Sequence, residues 1–206
     1  GASEKISYYL SGSYLDDTGI IPNSGFERFS TRLKADYQAK KWLKIGTNLS
    51  YTNYNSKSPA NQTSSGSSAN IFYVANLMAP IYPLYVRNTD GTIRVDDRGL
   101  TVYDFGNNTG FTRSFMNQSN PGSDLELDKR NNRADIFSGR WTADANIYDG
   151  LRAKVSFGYD IDNTQYKRLY NAYYGQYAPG GGIAYVGSYK TVSRNLQYLL
   201  TYNKSL

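Results

Sequence analysis

Neither cysteine nor histidine occurs anywhere in the 206 residues, and the two absences exclude several chemistries at once. Without cysteine there is no disulfide framework. Without either residue most zinc sites and the imidazole general base are gone, so Ser-His-Asp and Cys-His catalysis are excluded. Long apolar runs are missing too: mean hydropathy is -0.61, and no stretch approaches the roughly 18 apolar residues of a membrane helix. Membrane β-strands escape this test, because they alternate apolar and polar residues.

What is present is tyrosine, 21 copies of it, suited both to membrane girdles and to sugar-stacking surfaces. The net charge of +6 and pI near 9.3 raise the question of nucleic acid. The basic residues are scattered through alternating stretches rather than clustered, so no nucleic-acid partner is expected.

The stretch FERFSTRLKADYQAKKWLKIGTNLSYTNY, 26–54, organises the rest. Phe29, Thr31, Leu33, Ala35, Tyr37 and Ala39 share one face, with Arg28, Ser30, Arg32, Lys34, Asp36 and Gln38 on the other; after Lys40 and Lys41 the alternation resumes through Leu43, Ile45, Thr47, Leu49 and Tyr51. A period of two means strand, and a corner this short makes the strands antiparallel neighbours. Soluble strands average about five or six residues, whereas these match the roughly nine to eleven of a tilted transmembrane strand. Tyr37 and Trp42 flank the corner as an aromatic girdle would.

Further along, a first strand is expected from about Lys5 to Leu15. A second hairpin pairs Phe137, Gly139, Trp141, Ala143, Ala145 and Ile147 with Leu151, Ala153, Val155, Phe157, Tyr159 and Ile161 about the turn at 148–150, and a last strand covers about 195–203. Connections at about 16–25, 56–132 and 163–194 are long, while the turns at 40–41 and 148–150 are short. Long loops on one side and short turns on the other are the layout of an outer-membrane barrel, exterior above and periplasm below. Within the second connection, Asn70 is placed to cap a short helix from Ile71 to Met78 that Pro80 ends, followed by a small turn at Asp90 and Gly91. The fold expected is therefore all-β, about six antiparallel strands forming part of a large transmembrane barrel, with long external loops and one loop helix.

The blocks YYLSGSYLDDTGII, FERFSTRLKADYQAKKWLKIGTNLSYT, LMAPIYPLYVRNTDGT and RAKVSFGYD, in that order, resemble the SusC-like TonB-dependent transporters of Bacteroidetes outer membranes. The resemblance implies a barrel of about 22 strands around a plug, importing glycans or peptides together with a SusD-like surface lipoprotein and energised by TonB. It also implies outer-membrane localisation, contact with membrane lipid, no cofactor and no enzymatic role. No TonB box or plug is recognisable, GASEKISYYL lacks the pattern of a secretory leader, and the last residues stop in a strand-like run; an internal barrel piece is expected. The alternative is a secreted soluble β protein that binds carbohydrate through loop tyrosines.

Other motifs have plainer readings. Asp17-Thr18-Gly19 has no second triplet to share a proton with and reads as a turn. Gly180, Gly181 and Gly182 lack the lysine of a phosphate loop. Asp160, Asp162 and Thr164 begin like a calcium loop without its glycine or glutamate, and Asp124, Glu126 and Asp128 read as a solvated acidic run. Tyr8, Tyr37, Tyr51 and Tyr159 belong to the apolar faces, while Arg32, Lys34, Arg140, Arg152 and Lys154 should face the lumen. The candidate substrate contacts are Tyr82, Tyr85, Tyr173, Tyr174 and Tyr177, all in long connections; no catalytic or metal-binding residue is expected.

Overall fold

The computed structural model describes residues 1–59, 70–106 and 112–203. The serine- and asparagine-rich opening of the second connection, 60–69, lies outside them. Among the described residues six strands, β1 (Ile6–Thr18), β2 (Gly25–Lys40), β3 (Leu43–Ser58), β4 (Lys129–Tyr148), β5 (Leu151–Tyr170) and β6 (Ile183–Tyr202), form a single sheet in chain order, each antiparallel to the next. Two helices, α1 (Ile71–Leu77) and α2 (Pro121–Leu127), sit in the connection between β3 and β4.

Register sorts the side chains into transverse rows. Ile6, Tyr37, Ile45, Ala143, Val155 and Tyr198 form one; Tyr8, Ala35, Thr47, Trp141, Phe157 and Leu196 the next; Leu10, Leu33, Leu49, Gly139, Tyr159 and Arg194 a third. Even spacing puts all of these on one face. Ile45 stays 45% exposed, Val155 38% and Leu196 52%, so the face is an uncovered apolar surface of the kind that needs a nonaqueous partner. From Leu151 to Ile161 it extends for ~25 Å at ~3.3 Å per residue and ~40° tilt, the height of the apolar band of a membrane barrel.

The apolar core lies elsewhere. Val74, Val86, Val102, Tyr103 and Phe105 are buried in the connection between β3 and β4, whereas Ala134 and Tyr170 are the only buried apolar strand residues among those described. A sheet with water on one side and oil on the other needs no core of its own; the loop body does.

The short turns differ by one residue from the expected 40–41 and 148–150, because Lys40 and Tyr148 still pair in β2 and β4. Lys41 and Trp42 join β2 to β3, and Asp149 and Gly150 join β4 to β5, Gly150 at φ 80°. The N–H of Asn146 donates to the Trp42 carbonyl at 2.8 Å and ties the two together.

Several boundaries differ from expectation. The last connection, expected at 163–194, is only 171–182, because β5 continues to Tyr170 and β6 begins at Ile183. The first is 19–24 rather than 16–25, and the second 59–128 rather than 56–132. Beyond the apolar band polar and apolar residues mix on both faces, with tyrosines on the side of the ion pairs and Leu169 and Val186 among charges on the other, so hydrophobic alternation fades while backbone pairing continues. Asp17 and Thr18 accordingly end β1 rather than forming a turn, and the chain turns after Gly19. Helix α1 is capped by the Asn70 side chain, which accepts from the N–H groups of Phe72 and Tyr73 at 3.1 and 3.2 Å. Helix α2 was not expected, and it corrects the reading of Asp124, Glu126 and Asp128 as a solvated run: Asp124 and Asp128 are buried.

Candidate functional site

The face opposite the apolar rows carries the charges. Arg140 pairs with Asp160 at 3.0 Å, Lys44 with Asp36 at 3.6 Å, and Arg152 with Asp144 in a short contact. Arg32 donates to Asn48 Oδ1 at 3.0 Å. Each ion pair joins diagonal neighbours across two strands, the reach expected of long side chains on one sheet face. Asp160, which begins a calcium-like triplet in the sequence, is thus an arginine partner, and Thr164 donates to Asp162 at 2.7 Å. Among the described residues no three metal-ligating side chains gather.

Following this face toward the long connections, aromatic residues replace the ion pairs. Tyr54 stacks on Phe26 with centroids 5.7 Å apart. Tyr54, Asn132, Thr164, Tyr166, Arg168 and Tyr189 line a cavity of about 230 Å³. Gly187 lies directly under the Tyr166 ring, where any Cβ would overlap it. Farther along, Tyr170 packs against Tyr177 at 4.4 Å and edge-on to Tyr185 at 6.3 Å. Flat rings beside an amide and a guanidinium offer stacking surfaces and hydrogen bonds together, a combination that fits sugar rings and peptide side chains. The sequence leaves Tyr166 and Tyr189 in a loop. The signal that places them is the period of two in Thr164, Tyr166, Arg168 and in Tyr185, Gly187, Tyr189.

The long connections join above this ledge. Tyr103 lies at the centre, 5.5 Å from Tyr85 and 5.4 Å from Tyr174 by ring centroids, and its hydroxyl donates to Glu126 in a short hydrogen bond. Burial and that carboxylate raise its pKa. Phe105 stacks on Tyr174 at 6.1 Å, and the Tyr174 hydroxyl donates to Asp96 at 3.2 Å. The Leu100 N–H, followed by Arg98 and Tyr174, holds the Asp96 carboxyl down at about 2. Asn120 caps α2 and donates its Nδ2 to the carbonyls of Leu84 and Asp104, at 2.8 Å each. Asn23, from the first connection, donates to the Leu125 carbonyl at 2.7 Å. The three connections therefore form one hydrogen-bonded body.

The candidate tyrosines divide accordingly. Tyr85 and Tyr174 come together around Tyr103. Tyr82 packs edge-on to Phe115 at 5.8 Å, with Arg113 5.7 Å over its ring. Tyr177 packs on Tyr170. Tyr173, 48% exposed, has the Arg98 guanidinium 4.8 Å over its ring.

Comparison with known proteins agrees with this geometry. The chain is 29% identical along its whole length to TonB-dependent receptor P3 of Formosa agariphila, and 24% identical to TonB-dependent receptor P26 of the same organism. It spans 19% and 18% of those relatives, less than a fifth of either. Among solved structures it resembles the RagAB peptide transporter with a TM-score of 0.67 at 19% identity, and the RagAB peptide importer in its closed-closed state with 0.66 at 22%. All of this chain and 21% of the transporter chain are covered in each. No protein-family model matches the chain.

Proposed function

We propose that this chain, a segment of a SusC-like TonB-dependent receptor, supplies six adjacent strands of barrel wall and three outer loops to a nutrient importer of the cell outer membrane. The observation that carries the reading is the two-faced sheet: Ile45, Val155, Phe157 and Leu196 uncovered on one side, Arg140–Asp160 and Arg152–Asp144 paired on the other. Lipid against the first face and water against the second satisfy both. The open edges of β1 and β6 are where the neighbouring strands of the parent barrel pair.

The imported substrate is a glycan or a peptide, taken up with a SusD-like surface lipoprotein that covers the loop body. TonB acts through parts of the parent receptor other than these strands. The segment binds and conducts; no catalytic step is assigned to it. Substrate contact falls to Tyr173 at the loop surface and to the ledge of Tyr54, Tyr166 and Tyr189. Tyr82, Tyr85, Tyr174 and Tyr177 take part through the loop body they hold together.

The test uses the full parent receptor in a strain lacking its own copy. Tyr166→Ala combined with Tyr189→Ala should cut uptake of the receptor's glycan or peptide substrate by about tenfold, from the loss of two stacking platforms, at unchanged receptor level in the outer membrane. Unchanged uptake removes the ledge from the route, and recovery of the receptor in a soluble fraction removes the wall reading itself.

A further inference from the structure

A cavity of about 600 Å³ is on the apolar face rather than the luminal one. Its lining is Glu27, Asn53, Asn55, Asn131, Arg133, Gln165 and Lys167, and no apolar side chain is among them. Register explains the location. Glu27, Asn55, Arg133, Gln165 and Ser188 form one transverse row, and Lys57, Asn131, Lys167 and the exposed Val186 the next. On its own strand every one is an even number of residues from Leu33, Ile45, Phe137, Ile161 or Val192, so these rows continue the same face past the margin of its apolar band.

Height follows from the same rows. Arg133 is four residues beyond Phe137 and Lys167 six beyond Ile161, or ~10 and ~15 Å above the last apolar row at ~3.3 Å per residue and ~40° tilt. Lys190, level with Asp135 and Asn163, is about 5 Å above it by the same measure. The headgroup layer adds ~5–8 Å beyond each side of the hydrocarbon, so the Lys190 backbone stands at that level, while Arg133 and Lys167 start above it and reach back to its outer margin along their long side chains.

Cations outnumber anions on the belt, with Lys57, Lys129, Arg133, Lys167 and Lys190 against Asp16, Glu27 and Asp135, and Arg133 is near enough to Asp135 to act on its carboxylate. Glu27 is engaged by Lys57 at 3.4 Å, and Asp135 accepts from Tyr51 at 2.6 Å and from Asn53 at 2.7 Å. Asp16 lies on the far β1 side of the row. Among the described residues Arg133, Lys167 and Lys190 form no ion pair, whereas Arg140 and Arg152 on the luminal face both do. Asn55 and Asn131 are already joined at 2.7 Å, which fixes the amide floor between the cations.

We infer that this belt is a docking surface for the phosphorylated glycolipid of the outer leaflet, with Arg133, Lys167 and Lys190 meeting headgroup phosphate and Asn55, Asn131 and Gln165 meeting its sugar hydroxyls. The inference rests on the barrel-wall reading, since only a membrane-embedded sheet brings the belt level with headgroups. Each cation near an anionic surface adds to retention, and three together act on one headgroup.

The experiment uses the full parent receptor in phosphatidylcholine nanodiscs, titrated with diphosphorylated lipid A, dephosphorylated lipid A and inorganic phosphate, bound lipid being counted by native mass spectrometry. The wild type should retain diphosphorylated lipid A at least about tenfold more tightly than the Arg133→Gln, Lys167→Gln, Lys190→Gln triple variant. It should discriminate against the dephosphorylated lipid to a similar degree. A luminal control, Lys34→Gln with Lys154→Gln, should behave as wild type. Equal retention by wild type and triple variant, equal loss in the luminal control, or competition by millimolar inorganic phosphate overturns the inference. Failure of the wild type to enter the bilayer overturns it together with the wall reading, and normal insertion with unaltered retention overturns the headgroup contact alone.

Discussion

Asn171 donates both its backbone N–H and its Nδ2 to a single oxygen, Oδ1 of Asp128, at 2.8 and 2.7 Å. The two residues are 43 positions apart, and both are buried. This contact ties the end of α2 to the start of the last connection, where Asn171 also accepts from the N–H groups of Tyr173 and Tyr174. Asn171→Ala should leave a buried carboxylate without its side-chain donor and loosen the loop body by ~1–3 kcal/mol. Hydrogen exchange on the full receptor should show faster exchange in 121–128 and 171–177, with strand amides unchanged.

Asp124 gives the same body a pH dependence. Burial, and then the charge of Asp128, push its carboxyl from the ordinary 3.8 up to about 8. A carboxyl raised on folding keeps its proton in the closed body and releases it when the body opens. Closure is therefore strongest below about pH 4 and weakens as pH rises toward 8. Hydrogen exchange in α2, corrected for the intrinsic rate, should rise across that window, and Asp124→Asn should flatten most of the rise.

Opposite faces of one strand should respond oppositely to charge. Phe157→Arg places a cation in the apolar band and should cost ~2–4 kcal/mol, visible as reduced urea resistance and slower barrel assembly of the full receptor. Lys154→Ala, on the luminal face three residues earlier, should cost less than ~1 kcal/mol. Equal costs at the two positions would contradict the assignment of faces.

The strand pattern of the band was legible because lipid and water impose a strict period of two on Leu33 to Tyr37 and on Val155 to Tyr159. The short turns were legible because Lys40-Lys41 and Asp149-Gly150 interrupt that period. Above the band the pattern no longer separates faces, which hid the continuation of β5 to Tyr170 and of β6 from Ile183, and with it the ledge of Tyr166 and Tyr189. Helix α2 did have a local signature, Asn120 before Pro121 with Asp124 in the first turn. The acidic residues around it read as surface instead. Their burial depends on Tyr103 and Asn171, partners too distant in sequence to be inferred from spacing.

The central claim concerns which face meets oil. Spin labels placed singly at positions 43–51 of β3 in the full receptor, embedded in bilayers, report it through collision with oxygen, which partitions into lipid, and with a water-soluble nickel complex. Oxygen access should peak at 43, 45, 47 and 49, and nickel access at 44, 46, 48 and 50. Uniform access along β3, or the reverse alternation, would contradict the account.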